Sequence, residues 1–150
     1  MFTYGLSLWK RGALGSAAIL GIVLISATGR SREVGRTPPQ GFVAPIAVRE
    51  IIRRACLDCH SDQTVWPWYS NIPPVSWQIH DDVANAREFM DLSHWSDYTA
   101  EEQHGFVSEI ALATRARIMP PPRYLLLHHD AKLSDADLHT LAEWARSQAR

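Results

Sequence analysis

Cys56-Leu57-Asp58-Cys59-His60 decides the reading of this chain. The pattern is C-x-x-C-H. Two thiols with two residues between them fall on one helical turn, and the histidine follows directly. Such a pair can add to the two vinyl groups of one porphyrin, with the histidine beneath the iron. This is the spacing of a c-type haem attachment site. The chain has 2 cysteines, and the motif uses both. No sulfur is left for a disulfide, an iron–sulfur cluster or a four-cysteine zinc site.

Other uses of the motif have to be weighed. A thioredoxin-like redox pair wants a strand-to-helix setting with alternating β and α patterns, and none is visible. Two Cys and one His could begin a zinc site, but a fourth ligand at tight spacing is missing; the next histidine is His80.

The N-terminus supports the haem reading. Residues 1–11 hold Lys10 and Arg11 and no acid, and Gly12 to Gly29 is a run of 18 residues without a charge, closed by Arg30. A positive flank before an apolar segment is the pattern of an export signal or an anchor. At 1.5 Å per residue the run spans about 27 Å, enough for a bilayer core. Ala27-Thr28-Gly29 is a small-x-small triplet that could be cleaved. The length favours a signal anchor. The expected organisation is a signal anchor or signal peptide over 1–29, a polar linker over 30–42 and one domain over 43–150. Haem is joined to thiols outside the bacterial cytoplasm, so export and C-x-x-C-H agree. The domain would lie in the periplasm or on the outer face of the cytoplasmic membrane, anchored by residues 12–29. Without residues 1–29 the chain has 13 basic and 16 acidic residues, a formal charge of −3. It has no basic stripe, so it is no nucleic-acid binder.

The rest reads as an all-α domain of four helices. Val48, Ile51, Ile52 and Ala55 stand at i, i+3, i+4 and i+7, one helical face that runs into Cys56. Pro45 suits the first turn of that helix. Ile79, Val83, Ala86 and Met90 give a second face over about 75–90. Thr99-Ala100-Glu101-Glu102 is a capping box. It opens a third helix with Phe106, Val107, Ile110 and Ala111 that ends near Ile118. Ser134-Asp135-Ala136-Asp137 is a similar start, with Leu133 and Leu138 as a hydrophobic staple. Leu138, Leu141, Ala142 and Ala145 form the face of the last helix, flanked by Trp144. Between the first two helices, Trp66-Pro67-Trp68-Tyr69 and Pro73-Pro74 cannot make a regular helix. They read as a rigid, bulky loop suited to wall a porphyrin edge or to fill a core corner.

Haem iron has two axial positions, and His60 takes one. Met119 is the best candidate for the other. It stands past a helix, before Pro120-Pro121-Pro122, whose stiffness presents the thioether at small entropic cost. It lies 59 residues from His60, enough chain to cross the haem. Met90 reads as core packing. A histidine, His128 among them, or an open position are the alternatives. Arg115 and Arg117 stand just before Met119, where a glycine turn is expected.

Taken together, the chain resembles the haem-binding domain family, exported monohaem proteins related to the cytochromes c. The matching residues are Cys56-Leu57-Asp58-Cys59-His60-Ser61, Thr64, Trp66-Pro67-Trp68-Tyr69-Ser70, Ile72-Pro73-Pro74 and Ser76-Trp77. Met119-Pro120-Pro121, Tyr124, His128 and the closing helix from Leu133-Ser134 to Trp144 match as well. The resemblance covers about residues 43–146. It implies a cytochrome c-like fold in which the first and last helices cross beside one covalent haem c. Trp66, Trp68, Tyr69, Pro73 and Pro74 would surround it. A carbonyl from Pro73 or Pro74 would accept the hydrogen bond of His60.

Two functions remain open. One is a single-electron carrier with His60 and Met119 on the iron, working with a redox partner protein and not itself an enzyme. The other is a small-ligand sensor or catalyst with an open or weakly held sixth position. A second C-x-x-C-H, as in a dihaem peroxidase, is missing.

Overall fold

The computed structural model describes residues 41–148. The expected anchor at 12–29 lies outside the described residues. Among the described residues no helix is long and apolar enough to cross a membrane.

The domain is all-α. Its helices are α1 (Ile46–Ala55), α2 (Leu57–His60), α3 (Val75–Phe89), α4 (Ala100–Arg115), α5 (Pro122–Leu125) and α6 (Asp135–Gln148), with no strand among the described residues. Short 3-10 turns at Trp68–Asn71, Leu92–Asp97 and His129–Ala131 link them.

Local chemistry sets the helix starts. Thr99 accepts from the Glu102 N–H and Glu102 reaches back to the Thr99 N–H, a closed capping box. Ser134 and Asp137 make the same exchange at α6: the Asp137 carboxylate accepts from the Ser134 N–H at 2.8 Å and the Ser134 hydroxyl accepts from the Asp137 N–H at 3.2 Å. Each such cap contributes about 1 kcal/mol. Leu133 is buried beneath the second cap, with Leu138 packed on the same core. At α1 the basic residues Arg53 and Arg54 occupy the last turn, where the helix dipole favours them.

The core lies where α1, α4 and α6 meet. Val48, Ile51 and Ile52 of α1, Val107 and Ile110 of α4, and Leu141 and Trp144 of α6 are all buried. Trp144 is therefore central to its helix face and does not merely flank it, because its ring packs edge-on against Phe42 with centroids 5.6 Å apart. Phe42 also meets Trp95 at 5.0 Å. Trp95 and the fully buried Leu92 come from the Leu92–Asp97 turn, and both are core residues without a helix of their own.

α4 stops at Arg115, three residues short of the expected Ile118. The Arg117 N–H reaches the Thr114 carbonyl and the Ile118 N–H reaches the Ala113 carbonyl, each at 3.0 Å. This is a Schellman end, which wants glycine at the left-handed position. Arg117 holds that position instead, with φ 57°.

Candidate functional site

The C-x-x-C-H turn grows out of the end of α1. The Cys56 N–H completes that helix on the Ile52 carbonyl at 2.9 Å, and the chain then bends at Cys56 (φ −122°). The Cys56 carbonyl accepts the N–H groups of Cys59 at 3.2 Å and His60 at 3.0 Å. Cys56, Cys59 and His60 thus share one turn. Leu57, 1% exposed, anchors that turn in the core. The buried Ser61 hydroxyl donates to the Leu57 carbonyl at 2.6 Å and closes it. Residues 61–65 wrap back over the motif: the Thr64 hydroxyl donates to the Asp58 carbonyl (2.8 Å) and the Val65 N–H to Asp58 Oδ1 (3.0 Å). Just upstream, Arg54 bonds the Asp130 and Lys132 carbonyls and pairs with Asp137 at 2.6 Å. That ties the motif's approach to the start of α6.

Both cysteines are unpaired thiols. Burial, with the neighbouring Cys59, pushes Cys56 up to about 12. Burial, with Asp58 and Asp82 nearby, pushes Cys59 up to about 11. A thioredoxin-type site needs the opposite, a thiolate favoured at neutral pH. His60 Nδ1 lies 3.0 Å from the Met90 carbonyl. A carbonyl only accepts, so Nδ1 carries the proton and donates. Burial lowers the His60 pKa against the opposing pull of the Met90 and Ala86 carbonyls. The ring is neutral at pH 7, and its Nε2 lone pair is the donor a metal would take.

The carbonyl that orients His60 is thus Met90's, and the expectation of Pro73 or Pro74 is corrected. The reason is local. Met90 ends α3 in extended conformation (φ −157°, ψ 117°), which turns its carbonyl out of the helix. Pro74 instead caps the start of the same helix. Met90 itself is buried, as a core residue should be.

In the aromatic loop, Trp66 stacks on His80 of α3, with centroids 4.7 Å apart and planes 23° apart. Trp68 stands 53% exposed and meets Tyr69 edge-on. Tyr69 reaches His128 Nε2 at 3.3 Å. Pro73 and Pro74 are exposed.

Met119 is 39% exposed in the strap between α4 and α5. The strap is pinned on both sides. Upstream, the Arg117 guanidinium donates to the Leu133 carbonyl (2.7 Å) and to Asp135 (2.6 Å). Downstream, Arg123 pairs with Asp82 of α3 at 2.6 Å, and the Tyr124 hydroxyl donates to Asp58 Oδ2 at 2.6 Å. Tyr124 also stacks flat on His128, 3.9 Å away at 5°. Tyr124 thus links the strap that carries Met119 to the motif. The contact joins residues 66 positions apart, so no local pattern announces it. Zinc fits poorly. Among the described residues, the group of donors that does converge is Asp62, Asp91 and His94, and Cys56, Cys59 and His60 are not part of it.

The model of the haem-binding domain family matches residues 18–147. The chain belongs to that family. No curated protein and no solved structure matches it. The match takes in every described residue but Gln148, and haem is the cofactor the family implies.

The residues of this haem-binding domain fit that group. Two free thiols and a neutral imidazole with an unused Nε2 share one turn. Trp68, Ile72, Trp77, Ile118, Leu126 and Leu127 are exposed large apolar side chains, surface of the kind a porphyrin would cover. Arg87, bonded to Thr64 at 2.7 Å, keeps its buried Nε without a partner, a spare N–H for an anionic group.

Proposed function

We propose that this haem-binding domain is a single-electron carrier of cytochrome c type, holding one covalent haem c between His60 and Met119. The observation that carries the reading is the C-x-x-C-H turn itself: two unpaired thiols beside a neutral His60 whose Nδ1–H is already spent on Met90. Attachment is an addition. Each S–H adds across a vinyl C=C, with a new S–C bond at one carbon and the hydrogen on the other, and no oxidant is consumed. Haem held by Cys56, Cys59 and His60 would supply one-electron redox chemistry, and the Met119 thioether would raise its potential. The chain's own work is to tether, orient and cover. Cys56 and Cys59 tether, Met90 orients His60, and Trp66, Trp68 and Tyr69 form the neighbouring wall. The reading includes export, anchoring by residues 12–29, and a partner protein as donor or acceptor. The domain carries electrons and catalyses nothing itself.

The test is Met119→Ala in the haem-loaded protein. The unmutated ferric protein is expected to show a weak charge-transfer band at the red end of the spectrum. The variant should lose it, drop in reduction potential and bind carbon monoxide when reduced, while keeping its haem. Unchanged spectra refute Met119 as ligand. A second reading, a small-ligand sensor or catalyst, draws on the partial exposure of Met119. Rapid carbon monoxide binding by the unmutated protein would favour it.

A further inference from the structure

We infer that Tyr124 is a positioning residue, whose hydrogen bond to Asp58 holds the Met119 strap across the face of the haem motif. The inference rests on Met119 as the sixth ligand. Asp58 lies between the two cysteines, so a contact to its carboxylate is a contact to the attachment turn. The Tyr124–Asp58 bond is short, 2.6 Å, and partly buried. Asp58 Oδ1 is already taken by the Val65 N–H, which fixes the carboxylate plane. Tyr124 is fixed in turn by its stack on His128, whose Nδ1 lies 3.1 Å from the Tyr124 carbonyl. That carbonyl can only accept, so His128 Nδ1 donates and Nε2 accepts from the Tyr69 hydroxyl at 3.3 Å. The chain of contacts therefore runs from the attachment turn through Tyr124 and His128 to the aromatic loop. His128 has both nitrogens engaged in it, which suits a brace better than an iron ligand.

Strap geometry explains why such a brace is useful. Met119 is five residues before Tyr124 and two after Arg117. The Arg117 anchor reaches the α6 side of the domain, at Leu133 and Asp135. The Tyr124 anchor reaches the haem-attachment turn. Held at one end only, the strap could swing and carry the thioether away. Held at both, Met119 has a defined position relative to His60.

The experiment uses the full chain loaded with haem. Tyr124→Phe removes the hydroxyl and keeps the ring for the His128 stack; Asp58→Asn is the companion variant. The red-end band is followed through a urea titration beside far-ultraviolet circular dichroism, and carbon monoxide binding to the reduced protein is timed. Losing a bond to a charged acceptor should raise the ligand-off population about tenfold or more. The band should then vanish at a urea concentration below global unfolding, and carbon monoxide should bind faster by a similar factor. Covalent haem content should not change. A band that persists to global unfolding in both variants, with unchanged carbon monoxide rates, overturns the role of Tyr124 and leaves Met119 standing. Band and fold weakened in parallel would make Tyr124 a general stabiliser and overturn the inference as well. A band missing from the unmutated protein overturns the Met119 reading itself, and the role of Tyr124 with it.

Discussion

Replacing Arg117 separates two opposed effects that the structure superimposes at one residue. Its backbone sits at φ 57°, where a side chain with a Cβ is strained. That strain is about 1–2 kcal/mol. Its guanidinium donates to the Leu133 carbonyl at 2.7 Å, a part-buried bond of about 1 kcal/mol. The pair with Asp135 is exposed on both sides, 52% and 96%, and is worth about 0.3 kcal/mol. Arg117→Ala keeps the strain and loses both contacts, so it should destabilise by about 1–1.5 kcal/mol. Arg117→Gly loses the same contacts and sheds the strain, but gives back about 0.5–1 kcal/mol as a more flexible unfolded chain. It should therefore be about 0.5–1 kcal/mol more stable than the alanine variant. In an ordinary helical position the order is reversed by a similar amount. Urea unfolding of the three proteins, in the same haem-loaded state and with equal slopes, measures the order. A glycine variant no more stable than the alanine variant would refute the left-handed assignment and the Schellman end with it.

Covalent attachment predicts that denatured, acid–acetone-extracted protein keeps its haem, and that Cys56→Ala with Cys59→Ala releases it; haem lost from the unmutated protein defeats the c-type reading. The proposed anchor predicts that full-length protein stays with membranes through a high-salt wash, whereas an N-terminus beginning at Arg30 would show cleavage and a free form. Asp137 is opposed by burial but held below its ordinary pKa by the Ser134 hydroxyl and N–H and by Arg54. A carboxylate depressed on folding stabilises above its unfolded pKa of about 3.9 and loses that stability as pH falls through the folded value. Asp137→Asn should flatten the acid limb of the stability profile; an unchanged limb would mean the Ser134 and Arg54 contacts add nothing.

Much of this was legible in the sequence because it is local. The Thr99–Glu102 box, the Ser134–Asp137 start and the Leu133–Leu138 staple each lie within a few residues and reappear as read. The periodic faces of α1, α4 and α6 do too, since helical burial repeats along the chain. What escaped was local structure without a period and contacts without a residue signature. Leu92 and Trp95 sit in a 3-10 turn too short to show periodicity. The Met90 carbonyl is a backbone acceptor, which any residue could supply. Arg117 occupies a glycine position because its guanidinium is anchored 16 and 18 residues away. The Tyr124–Asp58 bond depends on the finished fold.

The orienting carbonyl of His60 has an origin with electronic weight. Met90 closes a helix of 15 residues, Val75–Phe89, so its oxygen lies at the end where the peptide dipoles of α3 accumulate negative potential. A carbonyl in an isolated loop would lack that reinforcement. The stronger acceptor draws the Nδ1 proton outward and gives the imidazole some imidazolate character, making Nε2 the better electron donor. Ligand basicity of that kind favours the oxidised metal. In the proposed carrier, the length and integrity of α3 would thereby become a setting for redox potential, opposed in sign to the pull of the Met119 thioether. Shortening or fraying that helix would shift the potential upward without touching a single axial atom.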